Sequence, residues 1–467
     1  MTGSTTTALI MAAGEGTRMR SSLPKVLHPV CGRAMIAWPI LAARSAGVGR
    51  VAVIVSPNRD LGEHLPEDVE TVVQPQSDGT GGAVRAAIEI VRESSEVLVL
   101  SGDVPLISME VIADLLNAHR SSGASATVMT AILEEPGAYG RVVRDGDGAV
   151  EKIVEAKAAG DATEAELRIK EINSGTYVFR GESLASALGE IDSDNAQGEY
   201  YLPDVLSVMR GRDERVAAHI SDDTAVNLGI NNRVDLAAVE AEARQRILKK
   251  HMLAGVTIVD PASTWIDADV TIGEDARIEP GTSLRGATEI GPGAVIGPHS
   301  TIIDSGIGEG SQIINSHLVL CEVMAGCSVG PFAYLRPGAT LEDGSKAGTF
   351  VEIKNSTLGE GAKVPHLSYI GDADIGAGAN LGAGTITANY DGVRKHRTVV
   401  GPGARVGVDT MLVAPVEIGE GAYTGAGAVI RENVPPRSLA VSRGDQRTIE
   451  EYAERRKARE AEQEPDS

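Results

Sequence analysis

Aliphatic residues recur every six positions through most of the C-terminal half, and few folds accept such a period. Positions 272, 278, 284, 290, 296 and 302 read Ile, Ile, Leu, Ile, Ile, Ile. After a one-residue slip come Ile307, Ile313 and Val319. Positions 323 to 353 then read Val, Val, Leu, Leu, Ala, Ile at the same spacing, and 400 to 430 read Val, Val, Leu, Ile, Thr, Ile. Neither an α-helix nor an alternating strand has this period. Hexapeptide repeats mark a parallel β-helix, a prism whose faces are short strands and whose interior takes the aliphatic side chains. Of the 54 glycines, 29 fall between residues 256 and 440, where corners of positive φ call for them. Stacked coils cover one another, so a core with 3% aromatic residues suffices. Three hexapeptides per coil predict about ten coils.

The repeat breaks once conspicuously, at Asn389-Tyr390-Asp391-Gly392-Val393-Arg394-Lys395-His396-Arg397. This run is too long for a corner and is predicted to loop out, either as a site for an anionic ligand or as a solvated insertion. The formal charge of the chain is −22, which repels nucleic acid and anionic lipid, so any basic pocket has to be local. There is no apolar run of membrane-spanning length and no basic leader at the start. Cys31, Cys321 and Cys327 are too few and too poorly spaced for a disulfide framework or a zinc site. The expectation is a cytoplasmic protein that binds neither nucleic acid nor membrane.

The first half reads differently. Ala8–Met11, Val51–Val55 and Val97–Leu100 are short continuous apolar runs, the pattern of strands buried on both faces, with helical stretches between them. This predicts an α/β domain with a mostly parallel sheet and ligands at the strand C-terminal ends. Leu236, Val239, Ala243, Ile247 and Leu248 recur at helical spacing after Asn231-Asn232-Arg233. The expected boundaries are a first domain at 1–233, a helical linker at 234–254, a β-helix at 255–444 and a charged tail at 445–467. The tail is either a fraying helix or disordered.

Met11-Ala12-Ala13-Gly14-Glu15-Gly16-Thr17-Arg18-Met19 follows the first strand, with Leu23-Pro24-Lys25 beyond it. Small residues let the backbone approach phosphate oxygens, and Arg18 and Lys25 supply charge. Met19 occupies the third glycine place of a dinucleotide fingerprint, and no Walker lysine is present, so a nucleoside triphosphate bound in another way is expected. Ser101-Gly102-Asp103 ends a buried strand, and Asp103 is there either a helix cap or a Mg²⁺ ligand. Asn231 is likewise a cap or a second oxygen ligand. Gln74, with Gly79-Thr80, reads a base edge or forms a turn.

Two unrelated motif sets in this order carry a specific resemblance. Met-Ala-Ala-Gly-x-Gly-Thr-Arg-Met followed by Leu-Pro-Lys resembles the sugar-1-phosphate nucleotidyltransferases. Joined to hexapeptide repeats bearing Pro365-His366-Leu367-Ser368-Tyr369 and Asn389-Tyr390-Asp391-Gly392, the chain resembles the bacterial family of bifunctional N-acetylglucosamine-1-phosphate uridyltransferases and glucosamine-1-phosphate acetyltransferases. The resemblance covers all but the two ends. It implies a Rossmann-like nucleotidyltransferase domain, a left-handed parallel β-helix, a homotrimer, and UTP, acetyl-CoA, glucosamine 1-phosphate and N-acetylglucosamine 1-phosphate as substrates.

Residue by residue, it implies that Met11, Ala12, Ala13, Gly14, Ser101 and Gly102 cradle the nucleotide. Gln74, Gly79 and Thr80 meet the uracil side, Arg18 and Lys25 neutralise phosphate, and Asp103 and Asn231 hold Mg²⁺. Gly140, Glu155 and Asn173 hold the amino sugar. In the β-helix His366 is the base, since a neutral imidazole can take the proton of an attacking amine near pH 7. Arg336 and Lys354 bind the sugar phosphate, and Tyr369 and Asn380 the sugar. Ala383, Asn389, Tyr390, Val408, Ala426 and Arg443 line the coenzyme A side. Val408 stands where the family carries serine, so only its backbone contact carries over.

Overall fold

The structure is a computed structural model that describes residues 5–57, 61–156, 162–194, 198–442 and 448–463. Contacts divide the chain into two compact units, residues 1–250 with 266–269, and residues 251–265 with 270–467.

The first unit is built on one twisted sheet. From edge to edge its strands are Val216–Ile220, Ala126–Ile132, Glu171–Arg180, Glu96–Ser101, Thr6–Met11, Arg50–Val55 and Glu70–Val73. All pair in parallel except Glu171–Arg180, which runs against both neighbours. Leu9, Val97 and Val99 pack into the core on one side of the sheet, and Ala8, Ile10, Leu98 and Leu100 into the core on the other. Burial on both faces is why these segments read as unbroken apolar runs. Order reverses between Thr6–Met11 and Glu96–Ser101, the place where doubly wound sheets open a crevice at the strand C-terminal ends. Met11 lies beside Ser101 at that edge. A 21-residue helix, Arg233–Leu253, follows, with Val239 and Ala243 buried.

The second unit is a three-sided parallel β-helix. Among the described residues its faces are sheets of 11, 10 and 9 strands, in which each strand pairs with the third one on in sequence, except that Tyr423–Thr424 pairs with the second, Leu439–Ala440. Inward residues form columns: Leu335, Ile353 and Ile370 lie in one, Leu341, Leu358 and Ile375 in another, all at most 2% exposed. A helix spans Tyr452–Gln463 in the tail.

The predicted phase fails at one place. Val319 was expected inside, but the strand His317–Val319 buries Leu318 and leaves Val319 half-buried. Inward residues here run Ile307, Ile313, Leu318, Val323, so two consecutive steps are five residues long. Both short steps turn at non-glycine residues of positive φ, Asn315 at 45° and Leu320 at 47°. Each tighter corner drops one residue, which brings Leu318 inside and leaves Val323 and the later inward positions where they were expected.

Leu318→Ala is expected to destabilise the protein by about 2–5 kcal/mol, whereas Val319→Ala costs about 1 kcal/mol or less. Denaturant unfolding of the two variants measures this, and the reverse order would refute the register.

Candidate active sites

In the first unit the loop after Thr6–Met11 is shaped around Lys25. Gly16 has φ 62°, and a Cβ there would lie 2.6 Å from the Lys25 Cβ, so only glycine lets the loop close on this side chain. Lys25 Nζ donates to Asp103 Oδ2 at 2.6 Å. Arg18 Nη2 donates to Asn231 Oδ1 at 2.9 Å. The two oxygen-bearing segments are themselves joined, because Ile230 N donates to the Asp103 carbonyl at 2.9 Å. Arg233 and the His28 Nδ1 lie 3.2 Å apart, and burial, together with the Arg233 charge, holds the His28 imidazole below its ordinary value.

Two cavities open at the strand ends. One, of about 260 Å³, is lined among others by Met11, Ala13, Gly14, Gln74, Gly79, Thr80, Ser101 and Asp103. A second, of about 330 Å³, shares Met11, Thr80, Ser101, Asp103 and Glu199 with the first and adds Gly140, Glu155 and Asn173. Most residues expected around nucleotide and sugar, though not Lys25, Ala12 or Gly102, thus line two contiguous cavities. A third, of about 710 Å³, takes in Arg18 and Asn231 and shares Tyr139 with the second. No atom lies within 4 Å of where a Gly14 Cβ would be, which leaves that backbone open to a ligand. Ala12 and Gly102 do not line these cavities; their N–H groups bond the Ile54 and Met11 carbonyls and hold the strand ends together.

Gln74 is buried, and its amide donates to Asp78 Oδ1 at 2.7 Å and to the Gly79 carbonyl at 3.2 Å. It thus braces the turn whose Gly79 has φ 98°. Asn173 donates to the Tyr177 hydroxyl at 2.7 Å. Burial pushes the Tyr177 phenol well above its ordinary value. Residues 199–203 form a wall that the motifs did not reveal: Gly81 N donates to the Tyr200 carbonyl, and Leu202 N to the Thr80 hydroxyl. The run Glu199-Tyr200-Tyr201 in an aromatic-poor chain was the available signal.

The donor chemistry fits Mg²⁺. Asp103 and Asn231 offer one carboxylate and one amide oxygen, hard ligands of the kind this ion takes. No group of three or more His, Cys, Asp or Glu able to hold a metal exists among the described residues. A pair of protein oxygens completed by substrate phosphates is the usual Mg²⁺ arrangement.

On the prism, His366 ends the strand Lys363–His366, beside Thr349 on the preceding coil. It is exposed, and no hydrogen bond to its ring is found among the described residues. Around the corner, Arg336, Lys354 and Tyr369 lie on one face, where Tyr334, Glu352 and Tyr369 are aligned neighbours. Arg336 donates to Glu352 at 2.8 Å. Asn380 sits on His366's own face, beside Lys363. Ala383, Val408 and Ala426 lie at one corner of three successive coils, linked by Asp409 N to the Ala383 carbonyl and Gly427 N to the Val408 carbonyl. Tyr390 is exposed, whereas Asn389 is buried with its side chain turned to Asp372. Arg443 lies outside the described residues.

Lys395 belongs to the expected basic loop but was not singled out. The neighbouring Lys354 ammonium lowers its pKa. Only the fold, which returns the loop over the preceding coils, could reveal this pair.

The class is now defined: a nucleotide-handling α/β unit joined to a hexapeptide-repeat transferase. The family model of the MobA-like NTP transferase domain matches residues 8–197, and that of the bacterial transferase hexapeptide (six repeats) matches 269–304. The bifunctional protein GlmU of Streptomyces avermitilis is 48% identical over 456 residues, covering 96% of this chain and 94% of the relative. That of Mycobacterium bovis is 46% identical over 462 residues, covering 97% and 93%, and that of Mycobacterium tuberculosis H37Ra gives the same figures. The chain belongs to the bifunctional GlmU family, with a β-helix of the left-handed hexapeptide type.

The basic loop organises itself around Asp391. Hydrogen bonds from Arg394 N, from the His396 ring and from Val393 N hold its carboxyl down at about 2. A depressed carboxyl stabilises the fold above its ordinary value and loses that contribution as pH falls through the folded value. The loop should therefore keep its form down to about pH 4 and loosen between about pH 4 and 2. A carboxyl-carbon NMR titration of Asp391 with an ordinary midpoint would contradict this.

Proposed function

We propose that the second unit moves an acetyl group from acetyl-CoA to the amine of glucosamine 1-phosphate, and that the first unit then joins the product to UTP, forming UDP-N-acetylglucosamine and pyrophosphate. The observation that carries the reading is the pair of contiguous cavities sharing Met11, Thr80, Ser101 and Asp103. One has the residues for a nucleotide and the other those for a sugar, with the acidic strand end between them.

In the uridylyl half, the acceptor's phosphate oxygen attacks the α-phosphorus in line, and catalysis is positioning and charge neutralisation. Met11, Ala13, Gly14 and Ser101 cradle the nucleotide, Ala12 and Gly102 hold the strand ends beneath them through their bonded N–H groups, and Gln74, Gly79 and Thr80 shape the uracil side. Gly140, Glu155 and Asn173 hold the amino sugar. Lys25 and Arg18 leave Asp103 and Asn231 to meet phosphate oxygens, and the oxygens so freed on Asp103 and Asn231 would hold Mg²⁺. When bound, that ion neutralises phosphate charge.

In the acetyl half, the amine attacks the thioester carbonyl carbon while His366 takes its proton. The carbon–sulfur bond breaks and coenzyme A leaves as the thiol. Arg336 and Lys354 hold the sugar phosphate, Tyr369 and Asn380 the sugar. Ala383, Tyr390, Val408, Ala426 and Arg443 receive the coenzyme, and Asn389, its side chain bound to Asp372, fixes the base of the loop from which Tyr390 projects.

The functional boundaries we adopt are 1–233, 234–254, 255–444 and 445–467. The working assembly is a homotrimer. Phe332, Phe350 and Leu367 support it, forming an exposed apolar corner that leads to His366, with the two rings stacked at 5.4 Å. The compartment is the cytoplasm, where both co-substrates are made and where three free cysteines stay reduced. No helix among the described residues is long and apolar enough to cross a membrane.

His366→Ala is expected to lower acetyl-transfer kcat by about 10²–10⁴-fold and to leave uridylyl transfer within about twofold. Asp103→Ala should do the reverse, and chelation of Mg²⁺ should stop uridylyl transfer alone. Separate assays of the two half-reactions decide it; loss of both from either change in a folded protein would sink the assignment of one reaction to each unit.

A further inference from the structure

The basic excursion 389–397 leaves the prism and rejoins it at a single residue. Asp372 occupies a corner with φ 51° and is 7% exposed. At the departure, Asn389 Nδ2 donates to its Oδ2 at 2.5 Å; at the return, Thr398 N donates to its carbonyl at 3.1 Å. Asn355 Nδ2 donates to its Oδ1 at 2.6 Å, and its own N–H donates to the Lys354 carbonyl at 3.0 Å. One residue thus fastens the strand that carries Lys354 to the loop that carries Lys395.

Corner geometry alone does not ask for a carboxylate here. Leu320, Gly338 and Asn355 take the equivalent corner of the three preceding coils, also with positive φ. The charges around it do ask for one. Lys395 comes close enough to Lys354 for that charge to lower its pKa, while the Asp372 carboxylate, fixed between the two segments, feels the charge of both lysines and, with Tyr369, favours the protonated form of Lys395. The neighbouring Asp374 is taken by Arg397, which itself feels Asp372. Two ammonium groups in contact repel unless an anion offsets them.

We propose that Asp372 is a positioning residue of the acetyl-transfer site, holding Lys395 against Lys354 so that the two ammonium groups meet the phosphate of the sugar substrate as a preformed pair. This rests on the reading above, which assigns Lys354 to that phosphate, and extends it to Lys395. Asp372 does not touch the substrate; it acts through the lysines and the base of the loop.

Asp372→Asn tests it, because asparagine accepts positive φ and matches the side chain in size. The variant loses the charge and turns an NH₂ toward one of its two amide donors. KM for glucosamine 1-phosphate should rise by about tenfold or more, the scale of a lost charge-assisted hydrogen bond. Acetyl-transfer kcat should stay within about threefold, and uridylyl transfer should be unchanged. The alkaline limb of the KM profile should move to lower pH, since Lys395 keeps its cationic neighbour and loses the anion that favours its protonated form.

In a Lys395→Ala background the same change should add less than about threefold. Lys354→Ala alone should raise that KM by about tenfold; no rise there would overturn the phosphate assignment. A rise there, with Asp372→Asn leaving KM and the alkaline limb unmoved, would overturn the positioning role alone, as would a fall in kcat with KM unmoved. Should Asp372→Asn fail to fold, Asn389→Ala and Asn355→Ala each free one carboxylate oxygen. A rise in KM with either supports the role, and no rise with both overturns it.

Discussion

Inside the prism each aliphatic side chain is screened from water chiefly by its counterparts one coil above and one below. Ile353 lies between Leu335 and Ile370, and Leu358 between Leu341 and Ile375. Burying such a side chain is worth about 1.5–3 kcal/mol, and a one-residue slip would expose it and bring a polar neighbour inside. Every face is therefore locked to its column. Variation is confined to corners, where the chain turns without an inward residue. The excursion 389–397 obeys this: after it, Thr398–Val400 pairs with Ala373–Ile375 as though the coil had never been interrupted. His366, Lys395, Tyr390 and the Ala383–Val408–Ala426 edge all lie at or beside corners because the faces have no freedom to vary.

The sheet of the first unit imposes a comparable restriction by other means. Its strands are buried on both faces, so backbone groups are free for a ligand only where pairing stops. Met11 and Ser101 are paired neighbours at that limit. The Asp103 carbonyl then ties in the segment that supplies Asn231, more than a hundred residues away in sequence. A parallel sheet collects such distant residues because every strand delivers its C-terminal end to the same edge.

This explains what could be read from the sequence. A column repeats its demand on every coil, so the period announced the prism, and the apolar runs announced the sheet. The Gly14–Lys25 loop was legible because local backbone requirements leave local traces. Val319 was misplaced because a five-residue step differs from a six-residue one only in corner geometry, which Asn315 and Leu320 do not advertise. The wall at residues 199–203 and the Lys354–Lys395 pair were illegible for another reason. Each is a contact between remote segments, and neither residue type nor spacing records which coil or strap it will meet. Gln74 shows the converse: it was expected to read a base edge or form a turn, and although it lines a cavity at the strand ends, its amide N–H groups are spent on Asp78 and the Gly79 carbonyl.

The cations read as phosphate ligands share one property. Lys25 is held by Asp103, Arg18 by Asn231 and Arg336 by Glu352, while Lys354 and Lys395 face Asp372. In a chain of charge −22 this is how positive groups stay grouped without scattering toward the many surface carboxylates. A phosphate arriving at such a site exchanges partners with a protein anion and does not meet a bare charge, so its net gain is smaller than the number of contacts suggests. The return is geometric. Side chains already fixed near their working positions lose little rotamer freedom when a ligand binds. The oxygens of Asp103, Asn231 and Glu352 thus keep the cations both neutralised and in place.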